Sequence, residues 1–112
     1  MTVEIEFLYD FGGPNSWFVH RAIPAIEAEG KVRFRYVPVL LGGIFKATGN
    51  SPPMMSYGHV QSKVAYDRLE MQRFMDRHSI SGFQFNPHFP VNTLLAMRGA
   101  VAAEQLGCGP AY

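Results

Sequence analysis

The chain has 112 residues, 47% of them hydrophobic, and its ten Lys and Arg residues nearly balance nine Asp and Glu residues to give a formal net charge of +1. This length suits one small domain, and the balanced charge argues against a basic surface for nucleic acid. The longest apolar run, residues 37–45, is far shorter than the roughly 20 residues that span a bilayer.

The same features favour a cytoplasmic protein with neither nucleic acid nor a membrane as a partner. The first residues, MTVEIEF, have no basic segment and already alternate like a strand, so they do not predict a signal peptide. The single cysteine, Cys108, allows no internal disulfide, and it fits a small apolar residue better than a nucleophile. No spaced cluster of His, Asp or Glu predicts a metal site.

The first forty residues predict a strand, a helix and a second strand. Val3–Tyr9 alternates apolar and acidic residues, which indicates a strand with one buried face. Trp17–Glu29 has apolar residues at helical spacing and ends before Gly30, and Val32–Val39 alternates again. Short connections then imply a right-handed βαβ unit with parallel strands, which binds ligands beyond the carboxyl ends of its strands. We therefore expect chemistry at the turn over residues 10–16.

The remaining pattern is helical. A short helix over residues 40–48 and a proline-containing loop over 49–53 precede a long helix, Gln61–His78, whose apolar stripe predicts burial. After a loop over residues 79–90, Asn92 is a good N-cap for a last helix, Thr93–Leu106, and the final six residues predict no element. Because two strands make a marginal sheet, we expect the chain to be the front part of a larger fold, from a truncated or split reading frame.

Four separated stretches resemble one family, the 2-hydroxychromene-2-carboxylate isomerases and kappa-class glutathione transferases of the DsbA-like thioredoxin superfamily. Residues 10–17, DFGGPNSW, resemble the family turn D-F-x-S-P-x-S-[YW]; residues 37–53 resemble its second-strand loop. Residues 63–74 are similar to its helix K-x-x-Y-x-x-x-D-L-x-R, and residues 86–93, NPHFPVNT, to the following loop. Each motif alone is weak, but four in the family's order are specific.

This resemblance implies an α/β fold in which a thioredoxin-like βαβ unit, residues 1–50, is followed by part of an inserted all-helical domain, residues 51–112. The C-terminal half of the family fold, with its further strands, is absent from the chain. The resemblance also implies glutathione as a cofactor, a small aromatic substrate and a homodimer, although the dimer is doubtful for so short a chain.

Gly13 stands where the disulfide oxidoreductases of the family have a cysteine and the glutathione-dependent members have a serine that holds the sulfur as a thiolate. Ser16, one helical turn further on, is the remaining hydroxyl that could reach that sulfur. Without a thiol pair there is no disulfide exchange. From the residues alone, a strand-to-helix cap is the favoured interpretation of the turn. The other three motifs favour an anion or thiolate site that is vacant or weakened at Gly13.

Five further residues are candidates by resemblance. Asn50 corresponds to a residue that contacts the glutathione backbone, and Lys63 to one that meets a glutathione carboxylate. On pattern alone, Asn50 is a turn residue and Lys63 a helix lysine paired with Asp67. A substrate pocket for an aromatic acid is a weaker hypothesis for Tyr66, Asn86 and His88. Tyr66 can instead be a packing residue, and His88 can instead be structural.

Three functions are compatible with these residues and with the resemblance. The first is a glutathione-dependent isomerase of the 2-hydroxychromene-2-carboxylate type, which acts in the degradation of aromatic compounds. The second is glutathione conjugation, as in the kappa-class transferases. The third is a non-catalytic fragment with a binding role, which Gly13 and the missing second half of the fold favour.

Overall fold

The computed structural model describes residues 1–112 as an α/β chain. Its elements are β1 (Val3–Tyr9), α1 (Pro14–Ala28), β2 (Val32–Pro38), α2 (Leu41–Thr48), α3 (Pro53–Tyr57), α4 (Gln61–Arg77), α5 (Leu94–Gln105) and a final 3₁₀ turn, Gly109–Ala111. They form two compact units, which we call the sheet unit (Met1–Leu40 with Phe85–Tyr112) and the helical unit (Leu41–Gln84). None of the helices is both long enough and apolar enough to cross a membrane.

The predicted βαβ unit is confirmed. β1 and β2 pair in parallel, from Val3 opposite Val32 to Tyr9 opposite Pro38, with α1 as the crossover between them. Alternate residues of both strands share one apolar face, and the opposite face carries Glu4 and Glu6 beside Arg33 and Arg35.

The prediction that one face of β1 is buried is wrong for most of the strand. Val3 is 53% exposed and Ile5 is 39% exposed, and Phe7 and Tyr9 are half-buried. The physical reason is that α1 packs mainly along β2, so the first half of β1 lacks a covering element.

Helix α1 begins three residues earlier than the sequence pattern suggests. Gly13 is its N-cap, with φ −98° and ψ 119°, and Pro14 is its first residue. Proline at this position has no N–H to leave unsatisfied and a backbone angle already suited to the helix. At the other end, Gly30 takes a φ of +75° just past the last helical turn, as predicted.

The buried apolar residues of the sheet unit come from two helices. Phe18, Ala22 and Ile23 lie on α1; Met97, Ala100 and Ala103 lie on α5. The side-chain oxygen of Asn92 accepts from the N–H of Leu94 at 3.0 Å, so Asn92 caps α5 from one residue before the N-cap, Thr93.

The end of the chain is more ordered than predicted. It forms the 3₁₀ turn, and the hydroxyl of Tyr112 donates to the carbonyl of Ala96 at 2.9 Å. The ring of Tyr112 lies so close to Gly99 that a Cβ there would overlap it. The sequence pattern missed this segment because the docking depends on one glycine 13 residues earlier.

The helical unit has little interior, with Ile80 as its one buried residue. The predicted stripe of α4 is only half-buried at Val64, Met71, Phe74 and Met75, and Val60 is exposed. α3 was not predicted. The two compact units do not coincide with the segments 1–50 and 51–112, which follow the family's domain organisation and stay a prediction.

Candidate functional site

The turn between β1 and α1 is held by its own backbone. The N–H of Gly13 donates to the carbonyl of Asp10 at 3.1 Å, and the carbonyl of Gly13 accepts from the N–H of Ser16 at 3.1 Å. Pro14 has no N–H, and the N–H of Asn15 makes no hydrogen bond within the chain. The first turn of α1 therefore presents an unpaired donor at the positive end of the helix dipole.

A buried carboxylate fixes the shape of this turn. Asp10 is only 5% exposed, and its Oδ1 accepts from the N–H of Gly12 at 2.8 Å and from the hydroxyl of Thr93 at 2.7 Å. Thr93 is itself buried at the start of α5. The carboxylate thus joins the turn to α5 across 83 positions of the sequence.

Sequence reasoning missed both residues of this link. The available signal was an aspartate two residues before a glycine, which is typical of a side chain that bonds the backbone of its own turn. Nothing in the sequence pairs Asp10 with Thr93, because their contact depends on the tertiary fold.

The two glycines of the turn differ in what surrounds them. A Cβ on Gly12 would lie 3.0 Å from Cγ2 of Thr93 and 3.3 Å from Oδ1 of Asp10, so packing disfavours a side chain there. A Cβ on Gly13 would lie 3.6 Å from the carbonyl oxygen of Asp10 and 3.6 Å from Oγ of Ser16, which is ordinary contact. Since φ of Gly13 is also in the range of any residue, the fold does not require glycine at position 13.

Ser16 faces the same side of the turn as the absent side chain of Gly13. Its Oγ is 3.4 Å from the N–H of Asp10, a long hydrogen bond in which the hydroxyl accepts. The Ser16 proton is not engaged in that bond. The hydroxyl can therefore donate to an anion placed near position 13.

Aromatic rings line the neighbourhood of the turn. Tyr9 contacts Phe11 edge-on at 5.5 Å between ring centroids, and Phe11 contacts Tyr112 at 5.8 Å. Burial raises the pKa of Tyr9, and the electrostatic interactions with Glu104 and Tyr112 raise it further. The phenol of Tyr9 therefore stays protonated near neutral pH and serves as a hydrogen-bonding and packing group.

Asn86 and His88 lie together in the loop before α5. Oδ1 of Asn86 accepts from the N–H of His88 at 2.9 Å, and both residues are exposed. This bond closes a local turn. The imidazole of His88 makes no ion pair or hydrogen bond.

The other three predicted residues lie in the helical unit, and the two that are hydrogen-bonded have partners there. Oδ1 of Asn50 accepts from the N–H of Ser51 at 2.8 Å. Nζ of Lys63 lies 3.2 Å from Oδ1 of Asp67, as predicted, and 5.7 Å from the ring centroid of Tyr57. Tyr66 is more than half exposed.

No group of three or more His, Cys, Asp or Glu side chains is arranged to hold a metal ion. Cys108 is exposed near the end of the chain, outside the turn.

Comparison with known proteins gives a consistent family. The sequence matches the family described as DSBA-like thioredoxin domain over residues 4–111. It is 31% identical over 103 residues to glutathione S-transferase kappa 1 of Rattus norvegicus, a match that covers 90% of this chain and 46% of that protein. It is 36% identical over 52 residues to glutathione S-transferase kappa 1 of Caenorhabditis elegans, which covers 46% of this chain and 23% of that protein.

The chain thus spans about half the length of the rat relative. No solved structure gives a significant match. The family match extends over nearly all of the sequence and includes both strands, α1 and the turn between them. The chain belongs to the DsbA-like thioredoxin domain family.

Proposed function

We propose that the turn over residues 10–16 binds the thiol of glutathione, and that the protein takes part in glutathione-dependent isomerisation of a 2-hydroxychromene-2-carboxylate. The observation that carries this proposal is the unpaired helix N-terminus beside the hydroxyl of Ser16, in a chain whose relatives are named as glutathione transferases. When bound, glutathione supplies a thiolate that adds reversibly to the unsaturated substrate. The ring of the substrate can then open, a bond of the opened product can rotate, and glutathione is released.

The chain's own groups favour the charged form of that thiol. A thiol with an ordinary pKa of about 8.5 is mostly protonated at neutral pH. The N–H of Asn15 and the end of the α1 dipole both favour an anion, an effect of about 0.3–1 kcal/mol at an exposed site. A hydrogen bond from Ser16 adds to this stabilisation.

Position 13 limits how far this stabilisation goes. The family resemblance implies a serine hydroxyl there, and Gly13 offers only backbone. Because Ser16 lies 3.6 Å from where a Cβ of residue 13 would stand, we propose that its hydroxyl partly replaces the missing one. The expected result is weak binding of glutathione.

By the family resemblance, Asn50 and Lys63 are proposed to contact the peptide part of glutathione. The amide of Asn50 can both donate to and accept from a peptide, and the ammonium of Lys63 can meet a carboxylate. Each would have to exchange its present partner, the N–H of Ser51 or the carboxylate of Asp67. Tyr66, Asn86 and His88 are proposed as lining residues for an aromatic substrate.

Two alternatives have support of their own. Conjugation of glutathione to an electrophile is supported by the names of the two relatives. A binding role without catalysis is supported by Gly13, which lacks the hydroxyl that the family resemblance implies at this position.

The test is calorimetric titration of the chain with glutathione, alongside S-methylglutathione, which cannot form a thiolate. We expect weak binding of glutathione that strengthens in Gly13→Ser and weakens in Ser16→Ala. The matched control is Ser56→Ala in α3, which removes a hydroxyl outside the turn and should leave binding unchanged.

Two outcomes would count against the proposal. If S-methylglutathione binds as well as glutathione, the turn does not recognise a thiolate. If Gly13→Ser binds no more tightly, position 13 lacks the role assigned to it. Isomerase and conjugation assays of Gly13→Ser then separate the two enzymatic functions.

A further inference from the structure

Two of the four asparagines of the chain are followed by a serine, and their backbone environments differ. Asn15 and Ser16 lie in the first turn of α1, whereas Asn50 and Ser51 lie between α2 and α3, outside any helix or strand. An asparagine before a small residue can lose its amide when the next backbone nitrogen attacks the side-chain carbonyl carbon. The two pairs allow that reaction to be compared in two settings within one molecule.

At Asn50 the attacking nitrogen is already beside its target. The N–H of Ser51 donates to Oδ1 of Asn50 at 2.8 Å, and it has no backbone acceptor. Because Oδ1 is bonded to Cγ, the nitrogen of Ser51 lies close to the carbon with which it would form a bond. Reacting atoms that are held near contact need less ordering to reach the transition state.

The backbone on the N-terminal side of Asn50 is fixed. The N–H of Asn50 donates to the carbonyl of Phe45 in α2 at 2.8 Å, and Gly49 takes a φ of +67° between them. The side chains of Asn50 and Ser51 are exposed, so water and hydroxide can reach both. The segment therefore combines a held geometry with access for the base and the water that the reaction needs.

Asn15 lacks this arrangement. The N–H of Ser16 donates to the carbonyl of Gly13 at 3.1 Å, as part of the first turn of α1. An attack by the nitrogen of Ser16 would require this bond to break and the turn to open.

The remaining two asparagines also differ from Asn50. Asn86 is followed by Pro87, which has no N–H. Oδ1 of Asn92 accepts from the N–H of Leu94, two residues on, and not from that of the adjacent residue.

We propose that Asn50 is a site of spontaneous deamidation through a succinimide formed with the backbone nitrogen of Ser51. This proposal does not depend on the proposed function. The nitrogen of Ser51 loses its proton to a base and bonds to Cγ of Asn50, the bond from Cγ to Nδ2 breaks, and the amide leaves as ammonia with that proton. Water then adds to either carbonyl of the ring and opens it to aspartate or isoaspartate, without any oxidant or reductant.

Both products change the connection between α2 and α3. Each carries a carboxylate in place of the amide, which lowers the formal net charge of +1 by one. Isoaspartate also adds one carbon atom to the main chain shortly before Pro52, the N-cap of α3. The carbonyl of Pro52 accepts from Met55 at 2.9 Å and from Ser56 at 3.1 Å, so we expect the start of α3 to loosen.

The test is incubation of the full chain at neutral and at mildly alkaline pH, followed by digestion, chromatography and mass spectrometry. These measurements locate each conversion and separate aspartate from isoaspartate. We expect both products at Asn50, formed faster at the higher pH because a base removes the proton. Asn15 should react slower by about tenfold or more, because α1 must first open locally.

The control is the same incubation of the chain unfolded in guanidinium chloride. Both Asn–Ser pairs are then free of the contacts that distinguish them, so Asn15 and Asn50 should react at similar rates. Equal rates at these two residues in the folded chain would overturn the proposal. A lead of Asn50 that is unchanged by unfolding would also contradict it, because the arrangement in the fold would then play no part.

Two substitutions at position 51 test the identity of the nucleophile. Ser51→Pro removes the N–H and should abolish conversion of Asn50, whereas Ser51→Gly keeps the N–H and should react at least as fast as the wild type. Conversion that persists in Ser51→Pro, or that gives aspartate without isoaspartate in the wild type, would mean that water attacks the side chain directly. Either result would exclude the succinimide. The comparison of folded and unfolded wild type stands even if Ser51→Pro does not fold.

Discussion

At the scale of single residues, the turn depends on Asp10 more than on the small residues that make its motif conspicuous. One carboxylate oxygen accepts two hydrogen bonds, from the backbone of Gly12 and from Thr93 at the start of α5. Buried polar groups must find such partners, because an unpaired one is costly. The helix N-terminus proposed to bind a thiolate is thus positioned by a residue that need not touch the ligand.

Thr93→Val should destabilise the sheet unit by about 1–3 kcal/mol, because it removes the hydroxyl that donates to a buried carboxylate and keeps the shape of the side chain. The measurement is native-state hydrogen exchange at the N–H of Gly12, which should become faster. Thr93→Ser restores the donor and should recover most of the protection. Unchanged exchange in Thr93→Val would mean that the bond does not hold the turn.

The sequence predicted the place of the turn, and it did not predict the side-chain link that holds the turn. Gly13 and Ser16 were identifiable because the motif is local. Asp10 and Thr93 are 83 positions apart, so no spacing rule joins them. The partners of Asn50 and Lys63 are local, as the pattern alone had suggested, and their roles toward a ligand stay predictions.

At the scale of elements, α1 and β2 are joined through an aromatic and polar contact. Nδ1 of His20 lies 2.7 Å from the hydroxyl of Tyr36, and the Tyr36 ring meets Phe7 and Tyr9 edge-on. Burial raises the pKa of Tyr36 above its ordinary value of 10.0, and the charges of Glu27 and Tyr9 raise it further. The crossover is therefore built around phenols that resist ionisation.

This arrangement predicts a loss of stability in alkali. Because the pKa of Tyr36 is higher in the folded chain than in the unfolded one, the unfolded chain loses the proton first. The stabilisation is present below pH 10.0 and is lost as the pH rises through the raised pKa. Urea midpoints followed by circular dichroism should fall above that pH, and less steeply in Tyr36→Phe.

Tyr66→Phe is the control for this prediction, because Tyr66 is exposed and should leave the slope unchanged. An equally steep fall in Tyr36→Phe would assign the alkaline loss to other groups.

Elements with a strong period were predicted well, and those that depend on tertiary contacts were not. The alternation of β2 and the spacing of α4 located both within one residue of their observed ends. α3 has only five residues and little period of its own. The pattern predicts too late a start for α1, because the apolar period begins at Trp17 whereas the backbone becomes helical at Pro14.

At the scale of the whole molecule, the two units differ in how much they bury. The sheet unit has six buried apolar residues and two buried polar ones, whereas the helical unit has Ile80 alone. Since apolar burial is the main favourable contribution to folding, the helical unit has little to hold it together. The two units are therefore expected to open separately.

Hydrogen exchange followed by mass spectrometry should show peptides of residues 41–84 exchanging before those of α1 and α5. Few buried contacts imply a low free energy of local opening. Urea unfolding should accordingly be broad. A single sharp transition, with both units exchanging together, would contradict this description.

Because there is room for a side chain at position 13, a reporter group placed there can measure the electrostatic potential of the turn without any ligand. Gly13→Cys would put a thiol at the N-cap, in ordinary contact with Ser16 and the carbonyl of Asp10. Its titration, read from thiolate absorbance, would report how strongly this end of α1 favours an anion. Cys108 is the only other thiol in the chain, and a Cys108→Ala background would leave the reporter as the single signal.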